Sequence, residues 1–119
     1  MKAVVFHEHG GIDKLRYEDR PDPTMKDNEA LIRIKACALN HLDLWGRVGL
    51  PGVHIPLPHI SGNDICGEVV STGRLVSRAR PGDAVMISPG LSCGTCEYCL
   101  SGRDSMCRSY KIIGYQVDG

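Results

Sequence analysis

The sequence has little that would commit it to a membrane, a nucleic acid or a nucleotide. No apolar run approaches the length of a membrane span, and the "KAVVF" that follows Met1 is too short to be the apolar heart of a signal peptide. No excess of either charge exists: 14 Lys and Arg stand against 14 Asp and Glu, so there is neither a basic stripe for nucleic acid nor an acidic solvating tail. Neither a G-x-G-x-x-G at a strand-to-helix junction nor a G-x-x-x-x-G-K-[ST] occurs, which leaves the chain without a recognisable nucleotide-binding unit. Internal repeats and low-complexity tracts are absent too. These absences predict one cytoplasmic domain of 119 residues, long enough for a hydrophobic core, with no nucleic-acid or membrane partner. In a reducing compartment its 6 cysteines need an explanation other than disulfides.

What is present reads as mostly β. Glycine and proline are frequent and apolar runs are short. "KAVVFHEHG" predicts a first strand, Gly10-Gly11 a turn, and "DKLRYEDR" an antiparallel return. "PDPTMKD" reads as a loop. "EALIRIKACAL" has the apolar density of a strand buried on at least one face. In "NHLDLWGRVG", Leu42 and Trp45 fall three apart, as on one helical turn. "PGVHIPLPH" carries three prolines and cannot be regular structure. "DICGEVVSTG" predicts a strand and "RPGDAVMIS" a turn followed by a strand. The tail "YKIIGYQVDG" reads as one more strand stopping at a turn, and its "VDG" as half a hairpin whose second strand is missing, the mark of a fragment.

The densest signal is "CGTCEYCLSGRDSMC", with spacing Cys93-x2-Cys96-x2-Cys99-x7-Cys107. Zinc prefers four thiolates in a tetrahedron. Cys93, Cys96 and Cys99 form two overlapping pairs of the kind that wraps a metal, and Cys107 returns to close the set. Gly94 and Gly102 permit the tight backbone this requires. With all four ligands from protein, no position is left for water or substrate, so the site reads as structural. Two disulfides are the alternative, but near neighbours would close cramped loops and the compartment argues against them. An iron–sulfur cluster also takes four thiolates, with nothing else here to suggest electron transfer.

The order of motifs resembles the N-terminal, GroES-like domain of the medium-chain dehydrogenase/reductase superfamily, the zinc-type alcohol dehydrogenases and quinone reductases. The resemblance rests on "IKACALNHLDLW", on "PHISGNDICGEVV" in place of the family's G-H-E-x-x-G-x-V, and on "PGDAVMISPGLSCGTCEYCLSGRDSMC". With the opening "MKAVVF" it covers essentially the whole chain. It implies a mainly β fold with short helices, a GroES-like, partly open barrel spanning residues 1–119, with a structural zinc lobe inserted at 91–110. It also implies a Rossmann domain in a longer, homo-oligomeric parent, with NAD or NADP and a small carbonyl, quinone or alcohol substrate held between the two domains.

Departures from the family pattern shape the functional expectation. Relatives that oxidise alcohols bind a second, catalytic zinc; the resemblance puts its Cys ligand at Asn40 and its His ligand at Asn63. Asp64 stands in place of the usual Glu. Neutral amides are poor zinc ligands beside thiolate and imidazole. The hydroxyl that relays the alcohol proton falls at Leu42, and the histidine further along that relay at Trp45. An asparagine at the place of Asn40 is usual in quinone reductases, which generally lack the cysteine lobe. The expected parent therefore reduces quinones or enones by hydride transfer without a catalytic zinc. A zinc-type alcohol dehydrogenase with unusual ligands is the runner-up, and a free-standing zinc-stabilised binding module is the alternative from another class. The isolated chain is expected to be inactive.

The cleft candidates are Asn40, His41, Asp43, Asn63 and Asp64, with Asn40 and His41 also placed against the cofactor. His41 could act as a general acid. More simply, His41 and Asp43 orient a turn by hydrogen bonds, and His59 sits in a proline-rich loop. A second metal site from His41, Asp43, His59 and Asp64 matches no compact ligand pattern. Cys37 and Cys66 read as buried small hydrophobes. Trp45 reads as core or cleft wall, and His7, His9 and His54 have no evident partner.

Overall fold

A computed structural model describes residues 1–119. Its longest feature is an antiparallel pair of nine-residue strands, β3 (Ala30–Ala38) and β5 (Asp64–Thr72), extended by β6 (Ala84–Met86) into a sheet of order β3-β5-β6. A second sheet sets β1 (Lys2–Phe6) between β2 (Leu15–Asp19) and the two-residue β4 (His59–Ile60). A third is a ribbon of β7 (Gly90–Leu91) and β8 (Lys111–Ile112). Helix is confined to α1 (His41–Val48), the four-residue α2 (Glu97–Leu100) and two short 3-10 turns. The sheets do not close on one another, so the architecture is mainly β, with the open form expected from the sequence. No helix is long and apolar enough to cross a membrane.

Local sequence explains the longest pair. β5 alternates, with Ile65, Gly67 and Val69 turned inward at every second position. The register with β3 slips between Leu31 and Ile32 and between Ile34 and Ala36. Gly67 sits inside that irregular stretch, where a Cβ would lie 2.8 Å from the Ile32 side chain and collide with the Arg33 carbonyl. Only glycine lets the strands approach so closely there.

The core is small and lies beneath α1. Phe6, Ile55 and Tyr115 are buried together, with Leu42 and Ile112 packed against them. Gly46 seats the helix on this cluster: a Cβ there would meet the Ile55 side chain at 3.4 Å and the Tyr115 ring at 3.5 Å. The loop after β1 latches onto the end of α1: the Gly10 amide donates to the Arg47 carbonyl at 2.9 Å, and His9 Nδ1 donates to the Gly46 carbonyl at 3.0 Å. His9 therefore has a partner, and so does His7, whose Nε2 lies 3.0 Å from Glu18.

Five further expectations need correction. β3 has no buried residue, and Ile34 is 53% exposed, because β5 is its one extensive packing partner and nothing covers its outer face. Cys37 is exposed and Cys66 half-buried, for the same reason. His59 does not lie in the proline-rich loop: it begins β4, is 1% exposed and meets Phe6 edge-on at 5.4 Å. The "VDG" tail is not half a hairpin. Asp118 accepts a hydrogen bond from the Ile60 amide at 2.9 Å and the Gly119 amide donates to the Ile60 carbonyl at 2.8 Å, so the tail is clipped onto β4. α1 also runs two turns where the sequence suggested one.

Only 14 of 119 residues are buried, and the chain exposes 8220 Å². A free-standing 13.0 kDa monomer exposes about 6,300 Å². The radius of gyration, 15.3 Å, likewise exceeds the roughly 13.5 Å of a compact domain of this length.

Candidate active-site cleft and metal centre

The ribbon β7–β8 carries the cysteine lobe at its tip. Gly94 and Gly102 both adopt φ of +72°, the left-handed geometry that lets the chain fold back twice within the lobe. Cys96 opens α2, and Cys99 lies within it. As a result the four sulfurs of Cys93, Cys96, Cys99 and Cys107 lie within 4.8 Å of one another. Cys93 and Cys99 are 3.8 Å apart and Cys96 and Cys99 are 3.5 Å apart. Four ligands at the zinc–thiolate distance of about 2.3 Å define a tetrahedron with edges of about 3.8 Å. The cage thus fits one ion; it is too tight for a multi-iron cluster, and all six cysteines are free thiols with no disulfide among them.

The lobe is also preorganised for thiolates. The Thr95 amide and hydroxyl and the Cys96 amide all donate to Cys93 Sγ, at 3.5, 3.6 and 3.3 Å. These bonds, the Thr95 amide first, favour the anion and bring the Cys93 thiol down to about 5. Ser109 and the Cys93 amide lower Cys107 in the same way. Burial, then the hydrogen bond from Cys96, pushes Cys99 up to about 11. Backbone amides aimed at a ligand sulfur are the supporting shell that metal–thiolate sites require.

The second site is an open cleft of about 440 Å³ at the foot of the same ribbon, lined by Asn40, His41, Leu42, Asn63, Asp64, Pro89, Tyr110 and Ile112. Asn40 caps α1, and its side-chain amide donates to Asn63 Oδ1 at 2.8 Å and to Asp64 Oδ2 at 2.9 Å. The residues that the resemblance paired across 23 positions of sequence therefore meet. Asp43 does not line the cleft. It is 6% exposed beneath it, where one carboxylate oxygen accepts the Asn40 amide at 2.7 Å and the other the Gly62 amide at 2.9 Å. That clamp joins the start of α1 to the start of β5 and sets Asn40 opposite Asn63. His41 lines the cleft with its ring 5.9 Å from Trp45, which is half exposed. His41, Asp43, His59 and Asp64 form no metal cluster; the four cysteines do.

Three wall residues, Pro89, Tyr110 and Ile112, escaped the sequence reading. The only signal that could have found them is topological. Both ends of a four-cysteine lobe must meet at its base, which brings residues 89–91 beside 110–112.

Comparison with known proteins agrees with this geometry. Residues 26–119 match the alcohol dehydrogenase GroES-like domain. An alcohol dehydrogenase of Schizosaccharomyces pombe is 36% identical over 118 residues, covering 98% of this chain and 34% of that protein. The crystal structure of an NAD-dependent alcohol dehydrogenase superposes with a TM-score of 0.95 at 46% identity, covering 100% of this chain and 35% of the other. A cobalt- and zinc-bound thermostable alcohol dehydrogenase from Pyrobaculum aerophilum gives 0.90 at 34% identity, covering 100% and 36%. The chain spans about a third of the length of each. With the open β architecture, the sulfur cage and the cleft in place, these matches identify the chain as a member of the alcohol dehydrogenase GroES-like domain family.

Proposed function

We propose that the chain forms the substrate-side domain of an NAD(P)-dependent oxidoreductase, holding one structural zinc at Cys93, Cys96, Cys99 and Cys107. Its cleft would face a Rossmann domain elsewhere in a longer protein. The observation that carries this reading is the cleft itself: Asn40, Asn63 and Asp64 converge in its open lining. The surface excess over a compact monomer supports a covered, two-domain arrangement against a free-standing binding module.

NAD(P)H, when bound, supplies a hydride to an electron-poor carbon. This chain's part is to orient and to donate. The Asn40 amide is held by Asn63 and Asp64, so its own orientation is fixed. His41 has no hydrogen-bond partner in the protein and faces the cleft, where its ring can donate to a reduced substrate oxygen. Positioning of this kind is enough to promote hydride transfer to a quinone or enone. The donor set favours that substrate class: two neutral amides and one carboxylate are a weak zinc site. A second reading, oxidation of a small alcohol, has the names of the relatives in its favour.

The deciding experiment uses a protein in which this chain is joined to its Rossmann domain. Elemental analysis should give one zinc per chain, and NAD(P)H should be consumed with quinones or enones faster than NAD(P)⁺ is reduced by alcohols. Two zincs per chain with alcohol turnover would replace the first reading by the second. The 119 residues alone should turn over neither.

A further inference from the structure

The lobe and the cleft share one piece of backbone. Cys93 follows β7 by two residues, and Cys107 precedes β8 by four. The foot of this ribbon supplies Pro89, Tyr110 and Ile112 to the cleft wall. Tyr110 is the tightest link. Its amide donates to the carbonyl of Cys107 at 3.0 Å, so its backbone is tied to a metal-binding residue. Its ring lies over Gly90: a Cβ there would collide with the phenol oxygen and sit 2.7 Å from Cζ. Gly90 is therefore the empty place into which the ring is lodged.

We propose that the metal at the four cysteines positions Tyr110 in the cleft, making the lobe a positioning element for that wall as well as a staple for the fold. The inference deepens the function proposed above and rests on it only for naming the cleft a substrate site; the coupling itself is a property of this chain. Tyr110 is held between two anchors. The Cys107 carbonyl fixes its backbone from the lobe side, and the flat surface of Gly90 fixes its ring from the β7 side. When the metal is removed, the Cys107 sulfur keeps only the Cys93 amide and the Ser109 hydroxyl as partners, and the first anchor loosens. Coupling is reciprocal, so displacing the ring must weaken metal binding by the factor with which metal binding favours the lodged ring.

Fluorine NMR on the zinc-loaded chain labelled with 3-fluorotyrosine tests this directly. The chain has 4 tyrosines, which single Tyr→Phe variants assign. Tyr98 lies inside the lobe and reports metal loss; Tyr17, on β2, reports the integrity of the distant sheet. On chelation, the Tyr98 and Tyr110 signals should both shift or broaden while Tyr17 stays in place. A Tyr98 shift with Tyr110 unmoved overturns the proposal. Should all four signals collapse together because the metal-free chain unfolds, zinc-loaded Gly90→Ala decides. Its Tyr110 signal should move, Tyr17 should not, and zinc affinity by chelator competition should fall at least about fivefold, within the usual range of coupling between sites. A displaced Tyr110 with zinc affinity unchanged within twofold overturns the proposal. None of these measurements uses turnover, so a wrong substrate reading would leave them standing.

Discussion

The cysteine lobe and the cleft are built in opposite ways. In the lobe, four donors of one kind aim at one point, and none of them can satisfy another once all are ionised. In the cleft, the polar groups satisfy one another: the Asn40 amide gives its hydrogens to Asn63 and Asp64, and Asp43 beneath accepts two backbone amides. The first arrangement is incomplete without a cation; the second, His41 apart, is complete without one. A protein can thus use polar side chains to demand a ligand or to hold a wall still, and the number of mutually complementary groups decides which.

The largest break in that contrast should come from the lobe. Cys99→Ser removes a thiolate whose metal binding is part of folding free energy, and it should cost a few kcal/mol and about 10 °C or more in Tm. Metal content should fall with it. A variant that melts normally with a full zinc complement would refute the structural role. Acid should act in the same direction. Metal holds each sulfur as thiolate, depressing its pKa below the metal-free value, so the stabilisation is full at high pH and lost as pH falls. Cys93 is ionised above about 5 and has no proton to lose at pH 7, whereas Cys99, at about 11, must lose one. Calorimetry of zinc binding in buffers of different ionisation enthalpy should therefore count fewer than four protons released.

Next in size should be Asp43→Ala. It leaves the Gly62 amide without an acceptor in a buried place, at about 1–3 kcal/mol, and the Asn40 amide without one in a half-buried place, at less. Urea titration should show this drop with zinc content unchanged, which separates the cleft's clamp from the lobe. The contrast can also be turned around. Asn40→Cys with Asn63→His would replace two neutral amides by a thiolate and an imidazole beside Asp64, and elemental analysis should then rise from one metal per chain towards two. A count that stays at one would mean that the backbone of the cleft, not its side chains, refuses metal. The smallest stability effect should be that of Asn40→Ala, about 1 kcal/mol: Asp64 reaches solvent, so what is lost is the bond to buried Asn63 and the cap of α1. In the protein joined to its Rossmann domain it should nonetheless lower kcat/KM; an unchanged value would remove Asn40 from the working surface.

These two regions were not equally legible in the sequence. The lobe was readable because its ligands fall within one short stretch and their spacing alone encloses an ion. The meeting of Asn40 with Asn63 was accessible only through resemblance, since β3, α1 and an irregular loop intervene between them. Tyr110 carried no local mark at all. Strands were recognised from composition and turn residues, but burial was misjudged at β3, Cys37 and Cys66, and His59 was placed in a loop rather than a strand. Apolar residues report that a surface will be covered somewhere, and the sequence does not say by which element. Asp43 was grouped with the cleft because it neighbours Asn40 and His41 in sequence, yet helix geometry turns it inward.

The bare outer face of β3 has a thermal consequence. Unfolding changes heat capacity in proportion to the apolar surface newly exposed, and a normally buried chain of this length would show about 1.4–1.8 kcal/mol/K. Here much of the apolar surface, Ile34 and Met86 among it, already meets water in the folded state. The isolated chain should therefore have a smaller heat-capacity step, a low melting enthalpy and a broad calorimetric transition. Its stability should change slowly with temperature, and covering that face would sharpen the transition even if the melting point stayed where it was.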